Sequence, residues 1–154
     1  VPRQPHLLSL RREWGSLSAP GPHELAGDLE AVFVAPLRRI APAGLGLIGL
    51  PRWYGKRFRP EQDHLAGQNL VRSGGALVET LPMTARIGPS RADGRPALVV
   101  TYARASRRPW PWVRDEVRVR PDGSYLGMTY VDVPGLRPSA GRRSCCAVPD
   151  PRRP

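Results

Sequence analysis

The chain has 154 residues, a length that suits one domain around one core. Hydrophobic residues make up 40% of it, too many for a wholly disordered chain, while 19 Pro and 16 Gly argue against long helices. The formal net charge of +11 comes almost entirely from Arg spread along the chain, and Arg, Gly, Ala and Pro share GC-rich codons, so base composition accounts for the charge and nucleic acid is not an expected partner.

In chain order, Leu7, Leu10 and Trp14 fall on one face of a short helix over 7–14, within an N-terminal extension of residues 1–22. Residues 23–30 are ambiguous, because Leu25 and Leu29 suit a helix turn. Ala31 to Ala35 reads as a short strand stopped near Pro36. Residues 40–50 read as a small-residue helix or an apolar loop closed by Pro51. Short strands are expected at 53–58, 68–72, 76–87 (around Pro82) and 98–102, with a turn at Asp93-Gly94 before the last of these. The clearest element is a hairpin. Val113, Val117 and Val119 alternate with Arg114, Arg118 and Arg120, then Pro121-Asp122-Gly123-Ser124 turns the chain, and Tyr125 to Val133 returns. On the return strand Leu126, Met128 and Tyr130 share one face, and Tyr125, Thr129 and Val131 the other.

These elements predict a mainly β fold of about six to eight short strands. The expected form is a small antiparallel β-barrel, lipocalin-like, or a sandwich, with one or two short N-terminal helices. The β-rich domain spans residues 23–133, and the Pro, Arg, Ser and Gly of 134–154 predict a disordered tail. The adjacent Cys145 and Cys146 in that tail would close almost no loop, so neither a disulfide framework nor a Cys zinc site is expected. His6, His23 and His64 share no ligand spacing, and neither metal nor cofactor is expected. No stretch reaches the ~18 apolar residues of a membrane span. The opening Val1-Pro-Arg-Gln-Pro-His carries no secretory pattern, which makes cytoplasmic the default location.

Two blocks carry a resemblance. Leu50-Pro-Arg-Trp-Tyr-Gly-Lys-Arg-Phe58 resembles the Trp-Tyr-Gly-Lys-Arg-Phe signature of an uncharacterised family. Those proteins often carry an N-terminal Gly-x-Trp-x-x-x-Glu motif and a C-terminal domain of unknown function. Trp112 to Met128 resembles that domain's closing hairpin, with Leu126-Gly127-Met128 where the family has Leu-Gly-x-Met. Here Gly27-Asp-Leu-Glu30 lacks the motif's Trp. The resemblance implies a compact, lipocalin-like barrel and no particular reaction.

The chemistry-bearing residues concentrate in the same blocks. In a strand, Trp53, Gly55 and Arg57 would share one face and Tyr54, Lys56 and Phe58 the other. This block reads either as a core-anchored strand or as a ligand contact. Lys56 is the chain's only Lys. Asp115 would point inward with Val113, Val117 and Val119, and an inward carboxylate needs a partner, for which Lys56 or Arg57 is the natural choice. Arg107-Arg-Pro-Trp-Pro-Trp112 reads as a loop whose Trp residues cap one barrel end, or as a contact for acidic headgroups.

Three functions remain in view. The leading one is a cavity for a small apolar or amphipathic ligand, lidded by Ala41–Leu50. Trp53, Arg57, Tyr102, Asp115, Met128 and Tyr130 are its expected ligand-binding residues. The second is an enzyme using the same cavity, with Asp115, Lys56 and Tyr54 for acid–base work. The third is a basic surface protein for anionic lipid or nucleic acid. Oligomeric state is not legible.

Overall fold

The computed structural model describes residues 7–21, 24–33, 41–135 and 144–148. Two short helices, α1 (Leu7–Trp14) and α2 (Ala41–Leu47), accompany nine strands: β1 (Gly27–Glu30), β2 (Val32–Phe33), β3 (Trp53–Pro60), β4 (Leu65–Ser73), β5 (Ala76–Pro89), β6 (Pro96–Tyr102), β7 (Val113–Val119), β8 (Tyr125–Val131) and β9 (Ser144–Val148). A 3-10 turn, Trp110–Trp112, leads into β7. All nine strands join one antiparallel sheet in the order β1–β3–β4–β5–β6–β7–β8–β9–β2. The mainly β, barrel-type prediction therefore holds.

The two ends of that order are neighbours in the chain. Only Ala31 separates β1, which pairs with β3, from β2, which pairs with β9. Residues 27–33 thus draw the two edges of the sheet together and curl it around an interior.

Local chemistry explains the turns and bends. The β7–β8 hairpin pairs Val113 with Val131 and Val119 with Tyr125, as the alternation predicts. Its turn places Gly123 at φ 82°, and Asp122 accepts from the Ser124 backbone N–H at 2.9 Å. In β5 the register shifts opposite Gln68 and Asn69, where Pro82 has no N–H to give the ladder. The extra residue, Leu81, sits at φ 49°, and its carbonyl accepts from the Asn69 side-chain amide at 3.2 Å.

Alternation splits the apolar residues between two cores. Inside the curl lie Leu29, Phe58, Met83, Leu98, Val113 and Val117, among others. Outside it, Leu126, Met128, Tyr130 and Ala97 are covered by Leu10, Trp14 and Leu17. The helix expected over 7–14 is present, and it belongs to the domain rather than extending from it. Arg118 fastens it there. Expected on a polar face, Arg118 is fully buried instead, 4.5 Å from the centre of the Trp14 ring. It donates to the carbonyls of Trp14 (2.7 Å), Arg95 (3.0 Å) and Pro96 (3.1 Å) and to both Asp93 carboxylate oxygens. This contact holds the Asp93 carboxyl below the usual range.

One ambiguity is resolved and one expectation corrected. The segment 23–30 forms a strand at Gly27–Glu30, from which Leu29 points into the core while Glu30 faces outward, and Leu25, just ahead of the strand, is buried in the same core. The tail predicted as disordered over 134–154 contains β9, whose backbone pairs with β8 from Tyr125 to Thr129. Cys145 to Val148 forms a short apolar, β-compatible run, and β8 offers it an open row of backbone donors and acceptors.

Gly55 shows how tightly β1 docks. A Cβ there would fall 1.9 Å from the Leu29 carbonyl oxygen. Gly55→Ala is expected to push β1 off β3 at a cost of about 1–3 kcal/mol, measured by urea unfolding. An unchanged midpoint would contradict this packing.

Candidate functional site

Pairing of β3 is irregular between Trp53 and Gly55. This irregularity overturns the simple alternation and puts Trp53 on the same side as Lys56 and Phe58, facing the interior. Opposite them, β6 and β7 present Tyr102, Val113, Asp115 and Val117. Between these walls lies a cavity of about 350 Å³. Its depth is buried and apolar, formed by Leu29, Leu50, Phe58 and Val117. Its mouth lies where lining residues keep surface exposure: Phe33, Gly44, Ile48, Pro109 and Val131.

Helix α2 and the residues after it lie across that mouth, where Ala41–Leu50 was expected as a lid. Leu45, Ile48 and Leu50 contribute to the lining, and the Trp110 indole donates to the Ile48 carbonyl at 2.8 Å. Trp110 also packs against Tyr102, with ring centres 5.0 Å apart. Phe33 meets Trp53 at 5.4 Å.

One polar cluster interrupts the apolar wall. Lys56 Nζ lies 2.8 Å from Asp115 Oδ2, 2.7 Å from the Tyr102 hydroxyl and 3.8 Å from Met83 Sδ. Tyr102 donates in turn to Asp115 Oδ2 at 3.2 Å, and Thr129 donates to Asp115 Oδ1 at 2.6 Å. The ion-paired side chains are only 15% and 13% exposed. Nearby, Trp53 donates to Asn69 Oδ1 at 3.0 Å. Burial, the largest single influence, lowers the Lys56 ammonium, but Asp115 and Tyr102 together outweigh it and hold Lys56 above its usual range. Burial pushes the Tyr102 phenol up to about 12, against the pull of Lys56.

Both shifts have one sign. Below pH 10.0, the ordinary phenol value, Tyr102 is protonated whether the chain is folded or not, and its contribution is constant. Between there and about 12 the folded state keeps a proton that the unfolded chain has lost, so stability falls as pH rises. Lys56 acts in the same direction. Spectrophotometric titration should therefore show one tyrosine ionising near pH 12, absent in Tyr102→Phe. Complete ionisation of all tyrosines well below that pH would contradict the buried cluster.

The expected site residues divide. Lys56, Asp115, Tyr102 and Trp53 come together at the cavity. Arg57 does not: it lies on the outer face, bound to Asp28 and, at 2.6 Å, to Glu79. Tyr54 also faces outward, with Arg72 stacked 4.5 Å from its ring centre. Met128 borders the cavity, but its side chain packs in the outer core, where its sulfur accepts from the Tyr130 hydroxyl at 3.5 Å. Tyr130 itself lies wholly in that outer core. On β8, Tyr125, Gly127 and Thr129 face inward, so Met128 and Tyr130 must face away. Asn69, Phe33, Thr129 and Trp110 were not anticipated as lining residues. Of these only Trp110 carried a sequence signal, as a Trp expected to cap a barrel end.

Among the described residues, no three His, Cys, Asp or Glu side chains converge to hold a metal ion. No helix among them is long and apolar enough to cross a membrane.

No family model matches the chain, and no curated protein matches it. Its fold is similar to that in the crystal structure of a protein from Thermomonospora curvata, with a TM-score of 0.66. That likeness covers 97% of this chain and 90% of the other at 17% sequence identity, which speaks to fold alone.

Proposed function

We infer that the chain binds one small apolar or amphipathic molecule inside a lipocalin-like barrel. The observation that carries this reading is the 350 Å³ cavity, apolar in depth, with one convergent polar cluster. Small barrels either fill with side chains or enclose a ligand, and this one keeps space. The space lies at the small end of the roughly 300–1,000 Å³ range of ligand pockets. Helix α2 serves as the lid. The two blocks of the family resemblance meet here, since Lys56 belongs to the first and Asp115 to the second.

The alternative acid–base enzyme is less well supported by the same geometry. Lys56 is held charged and Tyr102 protonated at neutral pH, and Asp115 accepts from three donors. The cluster therefore holds its protons rather than exchanging them. A basic-surface function also finds less free charge than composition implies. Arg57, Arg59, Arg86, Arg91, Arg114, Arg118 and Arg120 each close on a carboxylate.

Native mass spectrometry of the purified chain tests the ligand reading. The expected result is a discrete extra mass that leaves on denaturation, or appears on adding an alkyl ligand such as decan-1-ol. No added mass from either source would mean a cavity that takes no such ligand, and would reject the proposal.

A further inference from the structure

We propose that this cavity selects a neutral ligand and excludes fatty acids and amines of the same size. This inference rests on the cavity reading above and deepens it. Its basis is a count of charges and hydrogen bonds. Among the described residues, Lys56 and Asp115 are the only charged side chains lining the cavity, and they neutralise each other at 2.8 Å.

Lys56 has no donor left over. An ammonium has three donors, and Lys56 directs them at Asp115, Tyr102 and the Met83 sulfur. Asp115 accepts from Lys56 and Tyr102 on one oxygen and from Thr129 on the other. Asn69 is engaged on both sides of its amide, by Trp53 and by the Leu81 carbonyl. A carboxylate entering this space would have to displace Asp115 from Lys56 or remain buried without a counterion. An amine would face the same choice at Lys56. Either outcome carries a cost that a neutral ligand with the same tail does not meet. A neutral molecule needs no counterion there and leaves the ion pair intact.

The test compares three probes of one chain length, decan-1-ol, decanoate and decylamine, against the full chain at neutral pH. Calorimetry or the fluorescence of Trp53 and Trp110 reports binding. Decan-1-ol is expected to bind at least about tenfold tighter than either ion. Asp115→Asn leaves the Lys56 ammonium unneutralised, so there decanoate is expected to overtake decan-1-ol. The double variant Lys56→Met/Asp115→Leu removes both charges and guards against misfolding of the single variant. With folding checked by circular dichroism, it is expected to keep decan-1-ol binding and still exclude both ions.

Decanoate or decylamine binding the wild-type chain as tightly as decan-1-ol would overturn the selectivity while leaving the cavity reading intact. If none of the three binds, both readings fail together.

Discussion

Asp115→Ala is expected to lower the unfolding free energy by about 3–5 kcal/mol, the usual cost of stranding one partner of a buried ion pair. The remaining partner is Lys56, whose ammonium would keep Tyr102 and a sulfur as neighbours but no anion. Thr129 would lose its acceptor as well. The ion pair as a whole contributes far less than this figure suggests, because both charges give up hydration to reach the interior. Lys56→Met/Asp115→Leu should therefore cost less than Asp115→Ala, although Tyr102 and Thr129 lose their acceptor in both. Chemical denaturation of both variants checks the pair of claims. A single variant as stable as wild type would mean that water reaches Lys56 freely, and the cavity would be wetter than its lining implies.

Arg118→Met should cost about 3–5 kcal/mol for a different reason. Asp93 is 24% exposed and can return to water. The carbonyls of Trp14, Arg95 and Pro96 each lose a guanidinium donor beneath α1, although Trp14 and Arg95 keep the backbone N–H groups of Leu17 and Ser90. A hydrogen bond to a charged group contributes about 1.5–3 kcal/mol, and some relief comes from local opening. That opening should be visible. Trp14 is 1% exposed in the folded chain, so its fluorescence should shift toward that of a solvated indole, and the N-terminal segment should become the first site of proteolysis. Loss of stability without movement of Trp14 would show that Arg118 does not fasten the helix.

The strands with strong alternation were legible from the sequence. The hairpin at 113–131 and the inward aim of Asp115 follow from period-2 patterning. Asking which cation could neutralise a buried carboxylate narrows its partner to Lys56 or Arg57, and the structure takes Lys56 while Arg57 binds Asp28. What the alternation missed came from irregularity and from distance. The break in pairing at Trp53 and Gly55 changes the facing of Trp53, and no residue type announces it. Arg118 reads as a solvent-facing residue of an amphipathic strand until α1 is laid over it. Met128 and Tyr130 are apolar enough for either core, and only the presence of a second core outside the curl decides their direction. Strand β9 sits among Arg and Pro, and its partners are more than a dozen residues away on one side and over a hundred on the other.

That last separation bears on the order in which the molecule is made. Val32 pairs with Ala147, whereas β3 to β8 pair with neighbours along the chain. Loop-closure entropy favours the near pairings first. During synthesis the meander from β3 to β8 can assemble before β9, which follows it in the chain, docks against β8 and β2. The interior is therefore open from the side until β9 docks and joins β8 to β2.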